Sequence, residues 1–164
     1  TVNKNVFDIY EPRLSKGLLT KVEEYINTLN SMHVDAKVIN PNYEQVYVKL
    51  EVQFYEGYDK SFYSKKLEED ILKFLSPWAF DDTKEVEFGI TLHKSVLIDY
   101  LEKLDYVDYL QNVNISKGKN GKPKNSLSPS NPKSILVSAK EHTVDTVLSN
   151  CLGEQKEPQK ECQV

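Results

Sequence analysis

Three kinds of side chain in this 164-residue sequence have types and spacings that could do chemistry: histidines, cysteines and clustered carboxylates. His33, His93 and His142 stand 60 and 49 residues apart, and no H-E-x-x-H or paired-Cys spacing links them into a metal-ligand set. They read as surface histidines. Cys151 and Cys162 both fall in the last fourteen residues. A secreted disulfide framework would spread cysteines through the core, so these two read as incidental, with a small terminal bridge as the alternative. Asp81-Asp82, Glu85 and Glu87 could in principle gather a divalent cation. Adjacent carboxylates supply no converging oxygen shell by themselves, and a solvated acidic turn is the plainer reading. Glu68, Glu69 and Asp70 read as the polar face of a helix. Gly118-x-x-Gly121 runs into Lys122-Pro123 and lacks the strand-to-helix setting of a phosphate loop, and no G-x-S-x-G elbow exists. Nothing here argues for catalysis, a metal or a cofactor.

The charge is more informative. A net −4 divides into −7 over residues 1–111, +5 over 112–133 and −2 over 134–164. The middle segment carries Lys117, Lys119, Lys122, Lys124 and Lys133 and no acid. An acidic body with one basic loop is not a general nucleic-acid binder, which would show a basic face. The loop could touch phosphate or an acidic partner surface, or could simply be solvated.

These side chains must be positioned by regular elements, which the apolar spacing locates. Leu14, Leu18, Leu19, Val22, Ile26 and Leu29 recur at helical spacing, with Pro12 or Ser15 marking the start and Asn30 the end. Val34, Ala36 and Val38 alternate as a short strand, and Asn40-Pro41-Asn42 is a turn. Val46, Val48, Leu50, Val52 and Phe54 then face one way, against Tyr47, Lys49, Glu51 and Gln53 on the other. That alternation predicts a strand with one buried and one wet face, in a hairpin with 34–38. Tyr63, Leu67, Ile71, Phe74 and Leu75 predict a second helix capped by Asp59 or Ser61 and stopped by Pro77. Ser76–Phe80 should fold Trp78 and Phe80 back over the core. A third helix follows over Leu92–Leu104, then strands over 107–115 and 135–139, with a weak strand signal at Val6, Phe7 and Ile9.

The expected fold is one α+β domain over residues 1–139. It has a mixed, mainly antiparallel sheet of about four to five strands and three helices packed on it. The basic loop occupies 116–134, and 140–164 should form a polar, flexible tail. A chain of this length buries roughly 68–70% of its unfolded surface, so no staples are needed. No apolar run approaches the ~20 residues of a membrane helix, and no signal segment stands at the N-terminus. Thr1 in place of an initiator Met reads as a processed chain or a fragment. Of ten tyrosines, Tyr43, Tyr47, Tyr55, Tyr58 and Tyr63 flank the long strand and the second helix's start, and Tyr100, Tyr106 and Tyr109 surround the third helix and the strand after it, as interface residues or as a half-buried sheet rim.

The order of segments resembles a known family. The helix Leu18-Leu19-Thr20-Lys21-Val22-Glu23-Glu24-Tyr25-Ile26 leads through Asn40-Pro41-Asn42-Tyr43 into the alternating strand. A helix ending Phe74-Leu75-Ser76-Pro77-Trp78 follows, then Phe88-Gly89-Ile90, a helix from Ser95, and Tyr106-Val107-Asp108-Tyr109-Leu110. This is similar to the C-terminal part of baseplate J-like proteins, wedge subunits of contractile phage tails and bacterial injection systems, over roughly residues 14–139. The long lysine-rich insertion and the absence of a large N-terminal region depart from that pattern.

The resemblance implies a structural subunit that docks to other baseplate wedge and hub proteins. It would assemble in the bacterial cytoplasm before joining a particle, without a signal peptide, and the isolated chain would be a monomer or weak oligomer. No catalytic residues carry over. The expected docking residues are Tyr47, Lys49, Glu51 and Gln53 on the wet strand face, Trp78 and Phe80 at the aromatic corner, and the five loop lysines. The alternative is a module that binds an anionic polymer or glycan through Lys117–Lys133.

Overall fold

The computed structural model of the chain describes residues 8–147. Helix α1 (Lys16–Leu29) comes first, then the long strand β1 (Asn42–Phe54) and helix α2 (Lys60–Leu75). A 3-10 turn at Pro77–Ala79 leads to β2 (Leu92–His93), helix α3 (Lys94–Glu102) and β3 (Val107–Lys117). The short β4 (Ser126–Leu127), β5 (Ser134–Ser138) and β6 (Thr143–Thr146) complete the order.

β1 is the spine, because among the described residues it carries ladders along both edges. β3 pairs antiparallel on one side, from Val46–Lys117 to Phe54–Val107. On the other side β5 and β6 run parallel to β1 in line with each other, at Asn42–Val46 and at Lys49–Val52. β2 and β4 form a separate antiparallel pair. The fold is α+β with a mixed sheet, as expected: β3 pairs antiparallel with β1 over most of its length, and β5 and β6 are the parallel partners.

The even-numbered side chains of β1, Val46 through Phe54, are buried and meet Leu67, Ile71 and Leu75 of α2 and Leu97 and Leu101 of α3. Strand alternation and a helical stripe thus close on each other, and that burial is the main source of stability. Asp59 caps α2 by accepting the Phe62 N–H at 2.7 Å, and Ser76 ends it before Pro77.

Three expectations need correction. Residues 33–41 form no strand and no hairpin. Their alternation is real, since Ala36 and Val38 are half-buried, but the backbone is satisfied by α1 side chains and not by a ladder. Ala36 exchanges hydrogen bonds with the Asn27 amide at 2.7 and 3.0 Å, and the Val38 N–H donates to Glu23 at 3.0 Å. Secondly, the sheet continues past 139, where a flexible tail was expected, because β6 pairs with β1 over Thr143–Thr146. Cys151, Cys162, Val6 and Phe7 lie outside the described residues, while Ile9 sits in a bend. Thirdly, α1 buries none of its residues, so only α2 and α3 build the helical layer of the core.

Candidate docking surfaces

The second face of β1 divides into two halves. Tyr47, expected to be wet, is buried, its hydroxyl hydrogen-bonded to the Thr143 hydroxyl. Ile135, Val137 and Ala139 are buried as well. At this end Tyr43 donates to the Pro12 carbonyl at 2.6 Å, Arg13 lies over the Tyr43 ring, and Gln45 donates to Glu11 at 3.2 Å. The segment before α1 is therefore laid over the start of β1. The other half stays open: Lys49 is exposed, and Glu51 and Gln53 are half-buried beside Gln111 and Tyr109 of β3. Glu51 accepts from Asn112 at 2.9 Å, where Asn112 adopts φ 49° at a bulge in β3.

His142, expected on the surface, is buried in the gap between β5 and β6. Between the Val46–Ser138 and Lys49–Thr143 pairs, β1 advances three residues and its partner five. The Val48 N–H has no backbone carbonyl opposite it there and donates to His142 Nδ1 at 3.2 Å. An accepting Nδ1 fixes the neutral Nε2–H tautomer, which donates to Ser138 Oγ at 2.8 Å. The Ser138 hydroxyl in turn donates to the Ala139 carbonyl at 3.0 Å. Burial lowers the His142 pKa to about 4, so the ring stays neutral at pH 7.

A second buried polar group sits behind the helices. Asp70, read as a solvated helix residue, is buried and accepts from the Tyr106 hydroxyl at 2.6 Å and Lys73 at 3.0 Å. Burial and the adjoining carboxylate raise the Tyr106 pKa, while the hydrogen bond to Asp70 raises that of Lys73. The group is fully engaged within the fold and resembles a brace more than a reactive site.

The basic loop is pinned at three points. Leu127 is buried in the core, β4 pairs with β2, and Lys124 bridges to Ile115. Lys117 is not free: its ammonium meets Glu44 at 2.5 Å, and Glu44 also accepts from the Ser130 N–H and hydroxyl at 2.8 and 2.9 Å. Burial opposes ionisation of Glu44, but these donors outweigh it and bring its pKa down to about 2. Lys119, Lys122, Lys124 and Lys133 are exposed and make no ion pair among the described residues.

The aromatic corner opens on a cleft of about 510 Å³. Trp78 and Phe74 line it with Leu92, Ile90 and Val96, and Glu85 and Glu87 stand at its edge. The Trp78 Nε1–H is buried without a partner. Phe80 does not cover the core; it is exposed and touches Tyr10 at 6.0 Å between ring centroids. Ile90, Val96 and Phe88 are each about half exposed. Asp81, whose carboxylate is held below its usual pKa by the Thr83 hydroxyl and N–H, begins an acidic strip through Glu87. Among the described residues no three His, Cys, Asp or Glu groups gather as metal ligands, and no helix is long and apolar enough to cross a membrane.

A surface that the sequence alone does not reveal is the outer face of α1. Leu18, Val22, Tyr25 and Leu29 form one stripe at i, i+4, i+7 and i+11, and all four are exposed. The opposite side of the helix faces 34–38. Reciprocal hydrogen bonds between Leu14 and Asn40, both 2.9 Å, close the base of this arm. Periodicity locates an apolar stripe but cannot say whether the same chain covers it.

Among the described residues the Leu18–Leu29 face of α1 is exposed. The family model described as "Baseplate protein PVC11-like" matches residues 1–139. The chain belongs to the PVC11-like baseplate family. A chain from the cryo-EM structure of the anti-feeding prophage baseplate, 6-fold symmetrised, is similar in fold, with a TM-score of 0.62 and 20% identity. The match covers 82% of this chain and 26% of that one, so the present sequence spans about a quarter of its length. No curated protein matches. The expected resemblance to a baseplate protein therefore stands.

Proposed function

We propose that this baseplate chain is a wedge assembly subunit that works by docking to neighbouring wedge and hub proteins, without turning over a substrate. The observation that carries the reading is the α1 stripe. Four large apolar side chains on one helix face, exposed among the described residues, suit a partner surface. The cleft at Trp78 and the open half of the β1 face are secondary contacts in this scheme. Assembly in the bacterial cytoplasm follows from the same reading.

Co-expression with the other baseplate proteins of its particle tests it. The tagged chain should co-purify with at least one of them, and L18E/V22E should remove that partner while leaving the fold intact by circular dichroism. Co-purification untouched by L18E/V22E would sink the α1 reading. Four exposed lysines support a second reading, an anionic-polymer contact. It requires salt-dependent retention on heparin that is lost when Lys119, Lys122, Lys124 and Lys133 become Ser.

A further inference from the structure

The Gly118-x-x-Gly121 segment lacks the setting of a phosphate loop, yet a residue inside it has chemistry of its own. Asn120 stands directly before Gly121, and it is the only asparagine in the sequence followed by a glycine. The structure places it in an exposed turn. Gly118 enters that turn with φ 69°, and the Gly121 N–H donates back to the Gly118 carbonyl at 3.2 Å. The base of the turn is firmly held. The Gly118 N–H donates to the Gln45 carbonyl at 2.8 Å, and the Lys124 N–H to the Ile115 carbonyl at 3.0 Å.

We propose that Asn120 is a site of spontaneous deamidation in the folded protein. The backbone nitrogen of Gly121 attacks Asn120 Cγ. A C–N bond forms, the Cγ–Nδ2 bond breaks, and the Gly121 amide proton leaves with the ammonia. Water then opens the five-membered succinimide at either carbonyl and gives aspartate or isoaspartate. Three features of the site favour the step. Gly121 has no side chain to hinder ring closure. Lys119, Lys122 and Lys124 flank it with no acid anywhere in 112–133, a field that favours a nitrogen stripped of its proton. One long hydrogen bond, from Gly121 to Gly118, must open to free that nitrogen. Asn112 and Asn114 lie instead in β3 ahead of branched Val113 and Ile115, and Asn131 precedes Pro132, which has no N–H. The product alters the loop. A carboxylate at position 120 removes one unit from the +5 of residues 112–133. Isoaspartate also lengthens the backbone by a methylene, in a turn so tight that a Cβ on Gly121 would stand 2.4 Å from the Lys117 carbonyl oxygen. The basic loop therefore loses charge irreversibly as the protein ages, whichever partner it meets.

Peptide mass mapping of the full chain, held folded for days at about pH 8 and about 37 °C, tests the site. The peptide containing Asn120 should gain about 1 Da, at least about tenfold faster than any other asparagine peptide. Isoaspartyl methyltransferase should label that same peptide. N120Q, whose amide could close only a six-membered ring, should remove both signals and keep the native melting temperature, since position 120 is exposed. No mass gain at Asn120 in the folded chain, while the same chain in concentrated urea gains it, overturns the proposal by showing that the turn shields the nitrogen. Equal rates at several asparagines overturn it as well, because the glycine and its turn would then select nothing.

Discussion

His142 shows how much one side chain can decide. It supplies the acceptor that the sheet lacks at Val48, and it can do so only while neutral. In the unfolded chain a histidine titrates near pH 6.5, whereas here burial lowers the value to about 4. The native state therefore binds fewer protons between these values. Its stability is complete above pH 6.5 and falls as pH drops toward 4, by on the order of 3 kcal/mol. Chemical denaturation at pH 7 and pH 4 should show this loss, and H142N, whose side-chain carbonyl can accept from Val48, should flatten the slope. The same slope in H142N would remove the assignment. Glu44 titrates in the opposite sense of charge: its depressed pKa gives stability that is present above pH 4.5 and lost as pH falls toward 2. Tyr106 offers a third test. Y106F leaves buried Asp70 with one donor fewer and should cost about 1–3 kcal/mol in urea unfolding. None of these three roles follows from local sequence. A histidine in a polar stretch and an aspartate among glutamates look solvated until distant strands and helices close over them.

The elements divide by how local their causes are. β1 and α2 were legible because alternation, a capping Asp59 and a stopping Pro77 act within a few residues. The 34–38 segment was misread because its alternating pattern faces α1, a partner that periodicity does not identify. β6 was missed because a four-residue segment with one apolar side chain, Val144, pairs with β1 only through the two-residue excess around His142. The basic loop carried a usable signal in Leu127, its lone apolar residue, which now anchors it in the core. L127A should loosen the whole segment and cost about 2–5 kcal/mol, as for other buried leucines. Gly121 has a different necessity. A Cβ there would stand 2.4 Å from the Lys117 carbonyl oxygen, so G121A should force the turn open. Hydrogen exchange should speed up at Lys124 and Ser130 while β1 stays protected; unchanged exchange in the loop would contradict that close approach.

On the scale of the whole molecule, stability and assembly are carried by different parts. L50A, in the core, should cost about 2–5 kcal/mol. V22S and L29S, on α1, should each shift unfolding by no more than about 0.5 kcal/mol while weakening assembly. A thermal melt that ranks them otherwise would mean α1 is packed against its own chain. The sequence by itself determined the α+β class, the buried face of β1, the two core helices, and the division of a net −4 into an acidic body and a basic loop. Those features follow from residue spacing and composition, which are local. Only the tertiary structure decided that Tyr47, Asp70 and His142 are buried, that Lys117 is held by Glu44, and that the Leu18–Leu29 stripe of α1 is exposed among the described residues. Each depends on which distant surface arrives or fails to arrive, and a one-dimensional pattern of apolar residues is the same whether its partner lies in this chain or in the next.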